Sequence, residues 1–390
     1  MAVTLTSADN ALKTYYLDAV SEQLNAVNPL LAKIKQSTEN VWGKEVKKLA
    51  IFGLNGGIGA GTEDGALPSA VGNNYAQFTS TLKNLYGTIE ISDKAVRASE
   101  NNAGAFVNLL NAEMEGLVRA SSFNLGRMLF GDGSGKLATV KSIANGVITV
   151  DSCRNLELGM IVEMRDGDNA FIAGSSGGKI TSLDRANNTF KVTGATISAE
   201  TLEAGCGVFL KGSYNNEITG LGAIFATGGS LYGVSRANNS WLSPYVKASM
   251  GTLTETAIQT ALDTVEENGG APANMIVCSW GVRRALQKLL SANKRFVETE
   301  ELAGGYKAIS YNGIPVVADR FCPSGTMYIL NTDDFTLHQL CDWQWLAGDD
   351  GKVLRQVAGK PVYTATLVKY AELICARPYG QGMISGITEV

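Results

Sequence analysis

A single histidine, eight prolines and six cysteines leave several common chemistries without their residues. His338 alone cannot build a histidine-rich metal site, and no Cys-x-x-Cys pair stands in for it. A Ser-His-Asp triad would have to use that same residue, and no G-x-S-x-G nucleophile elbow is expected in the chain. Cys153, Cys206, Cys278, Cys322, Cys341 and Cys375 lie mostly among apolar neighbours and read as buried free thiols in a reducing cytosol. No apolar run approaches the roughly 18 residues of a membrane span. The opening Met-Ala-Val-Thr-Leu-Thr-Ser-Ala-Asp has neither the basic nor the apolar region of a secretory signal. A net charge of −4 lacks the cationic excess of a dedicated nucleic-acid binder. It leaves open a surface that merely faces nucleic acid.

The chain is long enough, at 390 residues, for about two to three domains with real cores. Its 44 glycines beside so few prolines point to many turns and long sheets rather than disorder. The most informative stretch is Trp42–Arg97. Two β-like arms, Glu45–Phe52 and Tyr75–Ile91, flank a glycine-rich middle that cannot hold a helix. A ribbon of that length is marginal alone in water, so it is expected to reach out and lie on another molecule. A flexible surface hairpin is the plain alternative. The residues expected at that contact are Phe52, Gly56, Gly57, Gly59, Gly61, Glu63, Asp64, Pro68, Tyr75 and Phe78.

Around the ribbon the periodicities are clear. Asp9–Gln36 reads as an amphipathic helical arm, with Leu12, Tyr15, Tyr16 and Leu24 on its apolar face and a break at Asn28-Pro29. Ala98–Phe130 is the longest helical pattern, with Ser99–Asn102 as cap candidates and Gly131–Gly135 as its stop. Leu137–Lys211 changes to strand patterns, with hairpin turns at Asn145-Gly146 and Arg185–Asn188, and reads as a small barrel or sandwich. Helices at Thr252–Asn268 and Gly281–Ser291 alternate with strands at Met275–Cys278, Ile314–Ala318, Met327–Leu330 and Val362–Ile374. That order points to an α+β sheet domain.

Signals for chemistry fail one by one. Gly131-Asp-Gly-Ser-Gly-Lys136 imitates a phosphate loop, but Phe130 replaces the required glycine, Leu137 replaces Ser or Thr, and a helix precedes it. The glycines at 56, 57, 59 and 61 do not complete G-x-G-x-x-G. Asp166-Gly-Asp-Asn169 lacks the closing glutamate of a calcium loop and reads as a surface turn. Lys44, Lys47 and Lys48 are interleaved with Glu45, as on a solvated strand edge. Trp343 and Trp345 are expected to pack or to fill an interface.

The order of these elements resembles the tailed-bacteriophage major capsid protein of the Hong Kong 97 type. The residues most specific to the likeness are Arg236-Ala-Asn-Asn-Ser-Trp241 and the succession of extended loop and spine helix. The resemblance implies an α+β fold with an N-terminal helical arm (1–41), an extended β loop (42–97) and a peripheral domain with the spine helix (98–136). It further implies an inserted all-β domain (137–212), a second peripheral segment (213–250), an axial domain (251–360) holding Trp343 and Trp345 at its contacts, and a returning peripheral strand (361–390). Leu12, Tyr15, Tyr16 and Leu24 would then touch neighbouring subunits through the arm.

By the same resemblance, copies form hexamers and pentamers in an icosahedral shell around double-stranded DNA, assembled in the host bacterial cytoplasm. No enzymatic activity, cofactor or membrane is implied. Partners would be the protein itself, a scaffolding protein, a portal and a decoration protein, with DNA touched non-specifically. Some relatives cross-link through an extended-loop lysine and an asparagine of another subunit. The tip here, Asn55–Asn74, has no lysine, so a non-covalent shell is expected. The chain also starts almost at the arm, so assembly is expected to need a separate scaffold or the inserted domain. An encapsulin compartment of the same fold is the nearest rival. An enzyme acting on carbohydrate or phosphate, with a β accessory domain, is a distant one: the carboxylate pair or cofactor loop it needs is not found.

Overall fold

The computed structural model describes residues 28–94, 103–195, 197, 202–292, 299–302, 306–348 and 351–390. Leu12, Tyr15, Tyr16 and Leu24 of the expected arm lie outside them, as do the cap candidates Ser99–Asn102. The described chain begins with a short helix α1 (Pro29–Lys33), started by Pro29 in the first turn where its missing N–H costs nothing. The helix does not continue to Gln36 as the periodicity predicts. Ile34 is already extended, and β1 (Lys35–Ser37) runs parallel to a later strand.

Next come β2 (Val41–Trp42), β3 (Glu45–Phe52) and β4 (Asn74–Thr81), joined in one antiparallel three-stranded sheet. This is the ribbon. Its second arm is not one strand to Ile91. At Leu82 the chain leaves the ribbon, donating its N–H to Lys44 O, and continues as β5 (Lys83–Ser92) in a different sheet. The long helix α2 (Ala103–Leu129, 27 residues) follows, about 40 Å at 1.5 Å per residue.

The chain then forms six strands: β6 (Lys136–Ala144), β7 (Val147–Val150), β8 (Ile161–Arg165), β9 (Gly178–Asp184), β10 (Thr189–Thr193) and β11 (Gly207–Leu210). They close into a barrel in the order β10-β7-β6-β11-β8-β9. Inward side chains including Val140, Ile148, Met164, Phe190 and Val208 fill it, so it is a packed core and not a channel. Asn145 and Gly146 both take positive φ, the conformation of a tight hairpin turn. Asn215 N–H bonds Ser134 O, tying the exit of the barrel to its entry.

The barrel is also clamped to the rest of the molecule. Arg154 donates to Cys322 O at 3.1 Å, and Glu157 accepts from Arg185 and Arg320 at 2.8 and 2.9 Å.

After the barrel the chain must pass the end of α2. A Cβ at Gly220 would collide with the carbonyl oxygens of Met128, Leu129 and Gly131, so only glycine lets helix α3 (Leu221–Ile224) start there. The short strands β12 (Ser230–Leu231), β13 (Val234–Ser235) and β14 (Tyr245–Lys247) lead to α4 (Glu255–Gly269). Thr254 caps α4 by accepting from Ala257 N, and Gly270 ends it in the left-handed conformation. Then follow β15 (Met275–Cys278), α5 (Trp280–Ala292), β16 (Thr299–Leu302), β17 (Tyr306–Tyr311), β18 (Ile314–Ala318), β19 (Met327–Leu330), β20 (Phe335–Trp345), β21 (Arg355–Gln356), β22 (Val362–Cys375) and β23 (Gly382–Ile384).

Two main sheets result. One runs β1-β20-β22-β21, with β5 also on β22, and shares its apolar cluster with the described part of α2. The other is seven-stranded, β14-β23-β19-β15-β18-β17-β16, with α4 and α5 on its cluster. The expected boundaries need two corrections here. Strand 335–345, expected within the axial unit 251–360, pairs along β22 in the first sheet and buries Phe335 and Leu337 there. Conversely, β23, expected in the returning peripheral segment 361–390, sits inside the seven-stranded sheet between β14 and β19. Apolar burial on both faces decides each placement. Among the described residues no helix is long and apolar enough to cross a membrane.

Candidate assembly interface

The ribbon has one buried face and one exposed face. Val46, Ala50 and Phe78 point inward and are buried. Phe52 stacks on Trp241 with ring centroids 4.4 Å apart, and Phe78 lies 5.9 Å from the same ring and 5.2 Å from Tyr232. Tyr232 is held in turn: its hydroxyl donates to Leu373 O at 3.0 Å and accepts from Cys375 N at 3.1 Å. Burial raises this phenol well above its ordinary range, so it stays neutral.

The segment Arg236–Trp241 forms the bracket beneath. Arg236 is buried and donates to the carbonyls of Leu242, Ala223 and Ile224 at 2.7–2.9 Å, and Trp241 Nε1 donates to Asn239 Oδ1. A root this well packed fixes the direction in which the ribbon leaves the body.

Beyond the root, almost nothing among the described residues covers it. Leu67 is 90% exposed, Leu54 84% and Ile58 77%, with Val71 also exposed. The outer ribbon face continues this surface through Leu49, Ile51 and Tyr75, the last two being cross-strand partners. The tip is nevertheless ordered by its own short bonds. Asn55 Nδ2 donates to Asn73 Oδ1 at 3.1 Å, Gly57 N to Asn55 Oδ1 at 2.8 Å, and Asn73 Nδ2 to the Tyr75 hydroxyl at 3.1 Å. Several large apolar side chains in water on one projection are an unfinished surface.

Of the residues expected at the contact, Gly56, Gly59, Gly61, Glu63, Asp64, Pro68 and Tyr75 are exposed on this projection, and Gly57 is half-buried. Phe78 is not available: it is buried in its own chain's core. Phe52 is half-buried and engaged by Trp241. Trp343 and Trp345 are buried on β20, a strand paired along β22 and outside the seven-stranded sheet, which corrects their expected axial placement. In each case the aromatic ring found enough apolar surface within the subunit. Leu54, Ile58, Leu67 and Val71 were passed over in favour of the glycines, although four branched aliphatics in a stretch with no core of its own were the stronger signal.

Lys369 and His338 each have structural partners. Lys369 is buried and donates to Gln339 and Asp342 at 2.7 and 2.6 Å; burial lowers its pKa against the pull of Asp342. His338 Nδ1 lies 2.9 Å from Glu39 O, and burial lowers its pKa. The spacing G-x-S-x-G does occur once, at Gly174–Gly178, but in the loop between β8 and β9 with no helix after it. The serine of that spacing, Ser176, is exposed on the loop, and its neighbour Ser175 is buried with its hydroxyl bonded to Ile172 O and Met164 O. Lys136, after the phosphate-loop mimic, opens a strand and not a helix. Among the described residues no group of acidic, thiol and imidazole side chains could hold a metal.

Two buried carboxyls carry a measurable consequence. Burial pushes Glu372 up to about 7 and Asp319 up to about 6, against hydrogen bonds to Thr219 and Phe321 that pull the other way. The folded state therefore binds these protons more tightly than the unfolded state. Their contribution is full below the ordinary carboxyl pKa and is lost as pH rises toward 6–7. Denaturant titrations from pH 4.5 to 7.5 should show stability falling over this window, with Glu372→Gln flattening part of the slope. An unchanged slope in that variant contradicts the assignment.

Residues 207–352 match the SU10 major capsid protein family, a span that begins at β11 and ends just past β20. In structure the chain is similar to the capsid asymmetric unit of cyanophage A-1(L): TM-score 0.56, 12% identity, 94% of this chain and 93% of that one covered. The chain has the Hong Kong 97-type major capsid fold. It is a structural shell subunit and not an enzyme.

The capsid of an empty GTA particle is a further structural neighbour (TM-score 0.48, 13% identity, covering 93% and 90%), as is the SrpI encapsulin of Synechococcus elongatus PCC 7942 (0.47, 9%, covering 93% and 88%). No curated protein sequence matches the chain.

Proposed function

We propose that this subunit builds a closed icosahedral phage shell of hexamers and pentamers around double-stranded DNA, with the ribbon tip of each copy lying on a neighbour. The observation that carries the reading is the projection 53–74: firmly rooted, internally ordered, and left uncovered by the described residues of its own chain. Closed symmetry repeats one such contact in every copy, so a modest contact suffices. A scaffolding protein, a portal and a decoration protein complete the assembly, which takes place in the host bacterial cytoplasm. The barrel 136–210 is then an insertion clamped onto the outer parts of the fold through Arg154 and Glu157.

Electron microscopy of purified particles, with nuclease-protected nucleic acid quantified, tests this. Closed megadalton shells holding double-stranded DNA are expected. Shells filled with protein cargo and no DNA would favour an encapsulin, and a small soluble oligomer would overturn both. Boiling the particles in detergent should release single chains, because no lysine lies between Asn55 and Asn74. A ladder on the gel contradicts the non-covalent shell.

A further inference from the structure

The sequence holds four Asn-Gly steps, at Asn55, Asn145, Asn268 and Asn312. Such a step can deamidate by closing on itself. The glycine nitrogen attacks the asparagine Cγ, ammonia leaves, and water opens the succinimide to aspartate or isoaspartate. Glycine favours the closure because no Cβ shields its nitrogen or restricts its backbone. The fold blocks three of the four steps. Asn145-Gly146 and Asn312-Gly313 are two-residue hairpin turns between paired strands, with both residues at positive φ. That turn holds the glycine nitrogen away from the asparagine side chain. The Asn312 amide is further tied to Gln259 Oε1 at 3.0 Å. Gly269, after Asn268, is the buried last residue of α4, with its N–H in the helix ladder.

Asn55-Gly56 is arranged differently. It lies where the ribbon tip leaves its root, and both residues are exposed to water. Asn55 does not take positive φ. Its Oδ1 accepts from Gly57 N at 2.8 Å, a turn that folds the side-chain amide back over the Gly56 peptide. The same N–H points at the oxygen on which negative charge develops when Cγ is attacked, as an oxyanion-stabilising donor does. Gly56 N–H has no hydrogen-bond partner among the described residues, so the nucleophile is not tied up.

We propose that Asn55 is a site of self-modification. The Gly56 nitrogen bonds to Asn55 Cγ, and the Cγ–Nδ2 bond breaks. Nδ2 leaves as ammonia, taking the Gly56 amide proton, and water hydrolyses the ring. The product lacks the Nδ2 donor that ties residue 55 to Asn73 Oδ1, and sets an oxygen against that oxygen. It adds a third carboxylate to a tip whose charges are Glu63 and Asp64. The isoaspartyl form also inserts a methylene into the main chain at the neck of the tip. A subunit that waits unassembled thereby loses the fixed direction of its projection. This consequence rests on the reading of the ribbon as an inter-subunit arm; the covalent step does not.

Incubating the folded, unassembled subunit and mapping its tryptic peptides by tandem mass spectrometry tests the site. Residues 49–83 form one such peptide and contain Asn55. Asn55 should convert before Asn145, Asn268 and Asn312, and faster at pH 9 than at pH 7, since attack needs the Gly56 nitrogen deprotonated. Gly56→Ala should slow the conversion by about threefold or more. Circular dichroism shows whether that variant folds. A comparison in guanidinium chloride needs no variant: there Asn145 and Asn312 should catch up with Asn55, because only the fold separates them. Equal rates at the four steps in the folded subunit, or Asn145 converting first, overturn the proposal.

Converted chains carry one more negative charge and separate by anion exchange. They should assemble less well than unconverted chains by about threefold or more, the equivalent of one lost hydrogen bond per contact. Conversion at Asn55 with undiminished assembly leaves the covalent site standing and overturns its consequence for the arm.

Discussion

Removing Gly56–Ala70 should leave a folded, soluble subunit that no longer assembles. The tip contributes nothing to either main apolar cluster, and its hydrogen bonds stay within residues 55–75. Shortening an exposed loop costs the fold little. Assembly is another matter. Covering Ile58 and Leu67, which the deletion removes, is worth about 1.5–3 kcal/mol each before ordering costs, and the contact recurs in every copy. The expected result is a loss of particles of at least about a hundredfold by sedimentation or light scattering, with the melting temperature within about 2 °C of the parent. Leu67→Asp should act in the same direction, and Phe78→Ala in a different one. Phe78 is fully buried, so its truncation should cost about 3–5 kcal/mol of subunit stability. Particles of normal yield and size from the deletion would remove the basis of the assembly reading.

The second large effect lies at the end of the long helix. Arg127 of α2 and Glu217, where the chain returns from the barrel, are both buried and paired through both guanidinium nitrogens, one bond at 2.7 Å. Asn124 Oδ1 takes the third donor, Nε, at 3.1 Å. Removing one partner leaves the other as an uncompensated buried charge. Arg127→Met or Glu217→Leu alone should therefore cost about 3–5 kcal/mol, enough to abolish folding at 37 °C in a marginal subunit. The double variant should regain most of that loss, because well-packed apolar groups of similar volume often replace a buried ion pair at little cost. A double-mutant cycle in denaturant measures it. Additive losses would mean that the two side chains act independently and that the pair does not join α2 to the returning chain.

Much of the fold could be read locally, and the successes share a cause. The β3 arm, the long helix and the Asn145-Gly146 turn are each specified within a few residues. Period, cap and turn chemistry do not wait for a distant partner. The misreadings share a cause too. Nothing near Leu82 announces that one strand pattern will serve two sheets, because β4 and β5 differ only in which distant strand they meet. The transfer of 335–345 to the β22 sheet, and of 382–384 to the seven-stranded sheet, likewise depends on partners tens of residues away.

The contact surface divides along the same line. That a glycine-rich middle between two strands cannot hold a helix and reaches out was legible from composition; that it presents four exposed branched aliphatics was not drawn from it. That Phe52 and Phe78 belong to the root was not, since Trp241 and Tyr232, which claim them, lie far along the chain.

By itself, then, the amino-acid order determined where this chain turns, where it coils, and that one glycine-rich projection cannot fold on its own. Only the tertiary structure decided which aromatic rings that projection keeps for its own root and which side chains it leaves for a neighbour. The reason is that burial is a property of pairs brought together from afar, while turns, caps and periods are written within a few residues of themselves.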